Sequence, residues 1–159
     1  MSETQAKTKV TTPAEREILS EREFDAPRER VFELWTDAER IPLWWGRRVD
    51  TTTVDEMDVR PGGRWRFVSV SPEGEHAFRG VYREVTPPER IVSTFEWEGM
   101  PGHVSIDSTT FEDLGDGRTL MRTVSLFHTT EERDGMLSAG MEKGQEETLT
   151  RLEELLAQG

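Results

Sequence analysis

Residues 64–98 read RWRFVSVSPEGEHAFRGVYREVTPPERIVSTFEWE, and they set the architecture of the chain. Three runs of alternating apolar and polar residues follow one another here, separated by Pro72-Glu73-Gly74 and by Pro87-Pro88-Glu89. Alternation with a period of two is typical of a β-strand with one buried face, and proline and glycine supply the backbone angles of tight turns. The stretch therefore predicts three consecutive antiparallel strands.

Similar mixtures of apolar and polar residues occur on both sides of this stretch. Strand-like runs are found near residues 17–24, 50–59, 103–113 and 118–127. Short turn signals such as Pro61-Gly62-Gly63 and Gly115-Asp116-Gly117 lie beside them. Because short connections of this kind join neighbouring antiparallel strands, we expect one curved antiparallel sheet of six or seven strands.

Two short helices are predicted after the first strand. Asp25-Ala26-Pro27 begins one of them, because proline is tolerated in a first helical turn, and the apolar residues between Val31 and Trp35 follow at helical spacing. Thr36 and Glu39 match a capping box, which predicts a second helical turn that Pro42 ends.

A long amphipathic helix is predicted over residues 130–157. Thr129 and Glu132 form a second capping-box match at its start. Apolar residues from Met141 to Leu156 recur at spacings of three and four, with glutamates on the other side. A helix of this length can cover one face of the sheet, so we expect the fold class α+β.

Length and charge limit the organisation and the partners. The 159 residues suit a single domain, which we expect at 15–158 after a flexible polar leader at 1–14. The chain has 20 basic and 32 acidic residues and a net charge of −12, whereas nucleic-acid binding needs clustered Lys and Arg. No apolar run approaches the ~20 residues of a membrane span. We expect no nucleic-acid partner, no membrane insertion and a cytoplasmic location.

The residues offer few candidates for catalysis. There is no cysteine, no Gly-x-Ser-x-Gly elbow, no nucleotide-binding glycine loop and no His-Glu-x-x-His motif. The three histidines lie far apart in the sequence, so we expect neither a metal nor a cofactor. His76 is conceivable as a general acid or base. Asp107 and Glu84 lie either on the concave face, where they would pair with a polar ligand, or, as we expect, at exposed strand edges.

Several segments together resemble the SRPBCC superfamily and its helix-grip fold, within the bacterial branch similar to the C-terminal domain of the activator of heat-shock protein 90 ATPase. The segments are 24–37, 44–46, 61–65, 80–85, 88–92 and 140–145, with Leu149 and Leu152. Members of this superfamily are lipid carriers, hormone and alkaloid binders, polyketide cyclases and co-chaperone domains. The resemblance therefore implies a cavity between the sheet and the C-terminal helix.

Alternation and helical spacing indicate which side chains line this cavity, the alternative being that they simply form a core. From the sheet we expect Trp65, Phe67, Phe78, Tyr82, Phe95 and Trp97, with Thr109 and Met121 from the last two strands, whose inward faces otherwise stay open. From the helices we expect Trp35, Trp44, Met141, Gln145 and Leu149. Glycines in the last helix, such as Gly144, favour space there, and Gln145 requires a polar partner if buried.

Three functions are compatible with such a cavity. The first is binding of an apolar small molecule or lipid without chemistry. The second is a cyclase or hydrolase that uses the same cavity, and we regard an enzyme as the less favoured alternative. The third is a co-chaperone-like domain that docks a protein through the exposed part of Leu43-Trp44-Trp45 or through the acidic C-terminal helix, although a protein partner is not otherwise indicated.

Overall fold

An eight-stranded antiparallel sheet carries four helices in the computed structural model, which describes residues 7–158. The strands are β1 (Lys9–Thr11), β2 (Glu17–Phe24), β3 (Thr51–Met57), β4 (Arg64–Ser71), β5 (Gly74–Thr86), β6 (Arg90–Trp97), β7 (Val104–Gly115) and β8 (Arg118–Leu126). The helices are α1 (Arg28–Thr36), α2 (Ile41–Trp44), α3 (Thr130–Ser138) and α4 (Met141–Ala157). The sheet order is β1-β2-β8-β7-β6-β5-β4-β3. The α+β helix-grip fold predicted from the sequence is confirmed.

The sheet has one strand more than the six or seven expected, because part of the predicted leader belongs to it. Lys9 pairs with Glu21 and Thr11 with Leu19, which makes β1 an edge strand next to β2. A three-residue strand with a polar composition carries no visible alternation, so its pairing is not evident from the sequence. The rest of the leader, at residues 1–6, lies outside the described part of the chain.

The single C-terminal helix predicted over 130–157 is in fact two helices. Thr129 caps α3 as expected, since its hydroxyl accepts a hydrogen bond from the backbone N–H of Glu132 at 3.1 Å. Gly140 then adopts φ +84°, the left-handed conformation that glycine tolerates best. This conformation ends α3 and lets α4 begin in a new direction. Among residues 7–158, no helix is both long and apolar enough to cross a bilayer.

The predicted capping box at Thr36 is wrong, and so is the role given to Pro42. The Thr36 hydroxyl donates to the carbonyl of Phe32 at 2.9 Å, inside the last turn of α1. The carboxylate of Asp37 instead accepts from the backbone N–H of Glu39. Pro42 lies in the first turn of α2, where its missing N–H has no helical partner to lose.

A buried arginine on β2 joins α4 to the sheet. The side chain of Arg22 is 0% exposed, and its guanidinium lies 3.4 Å from the carboxylate of Glu146 and 3.3 Å from that of Glu153. It also donates to the hydroxyls of Thr8 and Thr150, each at 3.2 Å. A buried charge needs such partners, so the position of α4 is tied to β2.

We predict that Arg22→Ala destabilises the protein by about 3 kcal/mol, because it leaves two carboxylates without their buried counter-ion. Lys7→Met is the control, since Lys7 contacts Glu153 as well but is 59% exposed. An exposed pair contributes about 1 kcal/mol or less. Urea denaturation measures both values, and similar losses for the two variants would contradict the role given to Arg22.

Candidate ligand cavity

A cavity of about 690 Å³ lies between the sheet and α4, with α2 and its following loop at one side. Eleven of the residues predicted from the sequence line it. They are Trp35, Trp44, Trp65, Phe67, Phe78, Tyr82, Phe95, Thr109, Met141, Gln145 and Leu149. Their side chains come from both helical and sheet walls, as alternation and helical spacing indicate. Their role in ligand binding stays a prediction.

Aromatic rings form one wall of the cavity. The ring of Trp45 meets Phe67 and Phe78 edge to face, with centroids 5.2 Å apart in each case. Phe78 also stacks on Phe95 at 5.6 Å, and Trp65 lies 4.7 Å from Phe67. Such arrangements are favourable for aromatic pairs. The wall is therefore preformed by contacts within the protein.

Of the two neighbouring tryptophans, Trp45 contributes most to this wall, although only Trp44 is among the lining residues expected from the sequence. Trp44 lines the cavity too, but it is 1% exposed, and its indole N–H donates to the carbonyl of Leu34 at 3.0 Å. Helix α2 has only four residues, which is too few for periodicity to show which tryptophan faces the sheet.

Two predicted residues do not line the cavity. Trp97 is 36% exposed and ends β6, where its ring packs over Gly99 of the following turn and lies 5.8 Å from the ring of His76. Met121 is fully buried, but it belongs to the core that includes Phe32 and Phe111 next to α1. Alternation gives the face of a strand correctly, yet it does not show how far along the strand the cavity extends.

A row of polar side chains crosses the sheet beside these aromatic rings. Tyr82 pairs with Ser93, Ser93 with Asp107, and Asp107 with Ser125, on the adjacent strands β5, β6, β7 and β8. All four residues line the cavity. The cavity thus has an aromatic side and a side that carries hydroxyl and carboxyl groups.

Asp107 is the charged group of this row, and its expected place at an exposed strand edge is wrong. It is half-buried and lines the cavity, and the hydroxyl of Ser105 donates to its carboxylate at 3.2 Å. Burial raises the pKa of Asp107 to about 6, although hydrogen bonds from Ser125 and Ser105 act in the other direction. The alternation that placed Thr109 inward also applies to Asp107, two residues earlier. Glu84, by contrast, is 45% exposed and paired with Arg90.

Gln145 finds its polar partner on the sheet. The hydroxyl of Ser20, a residue of β2 that is 3% exposed, donates to the side-chain oxygen of Gln145 at 2.6 Å. A neighbouring pair on the cavity wall, Thr109 and Thr123, is joined hydroxyl to hydroxyl at 2.9 Å. Gln145 therefore serves both as a helix-to-sheet contact and as part of the cavity lining.

Charged residues lie at the rim of the cavity. The guanidinium of Arg47 lies 3.1 Å from Asp50 and 3.5 Å from Glu73, so it links the loop after α2 with the β4–β5 turn. His76 lines the cavity at the start of β5. Within residues 7–158, no group of three or more His, Cys, Asp or Glu side chains is placed to hold a metal ion.

A sheet gripping a C-terminal helix around such a space is the architecture of the SRPBCC superfamily. The chain belongs to the family described as Activator of Hsp90 ATPase homolog 1-like protein, whose model matches residues 25–157. No curated protein sequence matches the chain.

Solved structures of bacterial proteins share this fold. A protein from Rhodobacter sphaeroides superposes with a TM-score of 0.89 at 21% identity, covering 96% of this chain and 99% of its own. A protein from Chromobacterium violaceum superposes with a TM-score of 0.79 at 26% identity, covering 90% of this chain and 98% of its own. The AHSA1 protein from Silicibacter pomeroyi superposes with a TM-score of 0.70 at 25% identity, covering 89% of this chain and 97% of its own.

We predict that Asp107→Asn stabilises the protein at about pH 8, by up to about 3 kcal/mol at about 1.4 kcal/mol per unit of pKa. Because burial raises the pKa of Asp107, ionisation costs more in the folded than in the unfolded chain. This cost is fully present above about pH 6 and absent below about pH 4. The difference in unfolding free energy between the two proteins should therefore shrink as the pH falls.

The matched control is Asp113→Asn, which makes the same exchange at an exposed position of the same strand. Its effect on the free energy of unfolding should be small both at about pH 8 and below about pH 4. A wild-type protein as stable as Asp107→Asn at about pH 8 would contradict the cost assigned to the buried carboxylate.

We predict that Gln145→Leu destabilises the protein by about 1 to 3 kcal/mol, because the buried Ser20 hydroxyl loses its acceptor. The double variant Ser20→Ala/Gln145→Leu should be more stable than the single one, since replacing both partners with apolar groups leaves no unpaired hydroxyl. Denaturant titration of the two variants and of the wild type tests this order. A single variant as stable as the wild type would contradict it.

Proposed function

We propose that the protein binds an apolar small molecule or lipid in the cavity between the sheet and α4. The observation that carries this proposal is the volume of about 690 Å³ together with its lining. Ligand sites typically enclose about 300 to 1,000 Å³ and combine apolar walls with a few polar groups. The aromatic wall around Trp45 and the polar row around Asp107 match this description. A cytoplasmic location stays a prediction.

The helix that closes the cavity supports the same proposal. Gly144 lies in α4 and lines the cavity, and apart from its chain neighbours and its own helix backbone, a Cβ atom placed on it would meet no atom of the described residues within 4 Å. Glycine costs a helix interior about 1 kcal/mol relative to alanine. A glycine that faces open space at that cost is consistent with a helix whose inner face leaves room for a ligand.

One observation favours an enzyme as the second candidate. A cyclase or hydrolase needs a titrating group inside the cavity, and Asp107, whose pKa burial raises to about 6, is such a group. Binding remains the better supported proposal because it requires only the space and its lining. An enzyme would also have to position a reacting bond beside Asp107.

The co-chaperone alternative loses most of one of the two docking surfaces that the sequence suggested for it, the segment Leu43-Trp44-Trp45. Trp44 is 1% exposed, and Trp45 packs against Phe67 and Phe78 on the cavity wall. Leu43, at 52% exposure, is the member of this segment that reaches solvent most clearly. A single leucine is a small apolar surface for a protein partner.

We predict that the wild-type protein binds the neutral dye Nile red saturably and that Gly144→Leu weakens this binding by about tenfold or more, because the new side chain fills space that the dye needs. The same variant should be more stable than the wild type by about 1 kcal/mol, since leucine is a far better helix former than glycine. Dye fluorescence and thermal denaturation measure the two effects.

Gly135→Leu is the control for this experiment. Gly135 lies in α3, where a Cβ atom placed on it would have no described atom within 4 Å, and it is exposed and outside the cavity lining. The exchange should raise helix stability and leave dye binding unchanged. Absence of saturable binding to the wild type, or equal binding by both variants, would overturn the proposal.

A further inference from the structure

Asp107 is a carboxylate on the cavity wall that no cation of the described residues neutralises. Burial and hydrogen bonds from Ser125 and Ser105 determine the pKa of its carboxyl group, and no neighbouring charge contributes to that pKa. The other two carboxylates of the lining differ in this respect, because Asp50 and Glu73 both contact Arg47.

Hydroxyl groups flank this carboxylate on both neighbouring strands. Ser93 on β6 and Ser125 on β8 are its direct partners across the sheet, and side chains at such paired positions have Cβ atoms about 5 Å apart. The three side chains form a compact polar patch whose centre carries the charge. A group bound to Asp107 would also lie within reach of both serines.

The remaining lining suits a cation that is attached to an apolar body. The rings of Trp45, Phe78 and Phe95 line the same cavity, and aromatic faces attract ammonium groups. The net charge of −12 favours the approach of cations over anions. Although burial raises the pKa of Asp107, a value of about 6 leaves the carboxylate mostly ionised at neutral pH.

We propose that the ligand of this cavity is an apolar, preferably aromatic, molecule that carries a protonated amine, and that Asp107 binds the ammonium group. This inference rests on the proposed binding function and specifies the chemical class of the ligand. A nearby cation stabilises the ionised form of a half-buried carboxylate, and the ligand supplies this cation. Ser93 and Ser125 add hydrogen-bonding groups beside the ammonium group, and the aromatic wall holds the apolar body.

Three probes that share a naphthalene body and differ in one polar group test the inference at neutral pH by isothermal titration calorimetry. They are naphthylmethylamine, naphthylmethanol and naphthoic acid. The wild-type protein should bind the amine about tenfold more tightly than the alcohol, because hydrogen bonds between charged partners are stronger than those with one neutral partner. The acid should bind most weakly, since its carboxylate would face that of Asp107.

The variant Asp107→Asn separates this patch from the general acidity of the protein. It should lose the preference for the amine over the alcohol, because the charge that distinguishes the two probes is gone. Asp113→Asn removes the same charge from an exposed site on the same strand and should keep the preference. The predicted gain in stability of Asp107→Asn means that lost amine binding would not reflect unfolding.

The outcomes distinguish this inference from the proposed function. Equal affinities for amine and alcohol, tighter binding of the acid, or a preference that survives in Asp107→Asn would overturn the inference. So would failure of the amine to bind a protein that still binds Nile red, and in each of these cases the cavity would remain a binding site. If neither Nile red nor any probe binds, the proposed function fails as well.

Discussion

The attachment of α4 to the sheet through Arg22 is the interaction on which the cavity depends. The guanidinium is buried and contacts Glu146 and Glu153, which are two turns apart on α4. On the other side of α4, Arg151 donates to the carbonyls of Gly46 and Leu43. The helix is thus fixed along both edges by polar contacts. It does not have to collapse onto the sheet to be stable.

The space that remains has two kinds of wall, and the strands β5 and β6 contribute side chains to both. The strands β4 and β5, with β6, contribute aromatic rings that pack on one another and on Trp45. The strands β7 and β8 contribute serine, threonine and aspartate at the same inward phase. Contacts between aromatic rings make the aromatic wall rigid. Backbone pairing between strands makes the polar wall rigid. Both walls therefore exist without a ligand to organise them.

Local patterns predicted the sheet and eleven of the residues that line the cavity, because alternation and helical spacing depend only on neighbouring residues. Features that depend on distant partners were missed. The edge strand β1 exists through its pairing with β2, and Arg22 resembles an ordinary solvent-facing residue between Glu21 and Glu23. Gly140 reads as one more helical position until its positive φ is known. The cavity boundary that excludes Trp97 and Met121 likewise depends on which elements cover each end of the sheet.

The polar row lies on inner strands of the sheet, and this has a consequence for how the protein can change. The backbones of Ser93, Asp107 and Ser125 are held by hydrogen bonds to a strand on either side, so their Cα positions do not depend on their own side chains. Sites built on such rigid elements keep their geometry when a side chain is exchanged. Substitutions in this row can therefore change the selectivity of the cavity one residue at a time while the backbone that carries them stays in place.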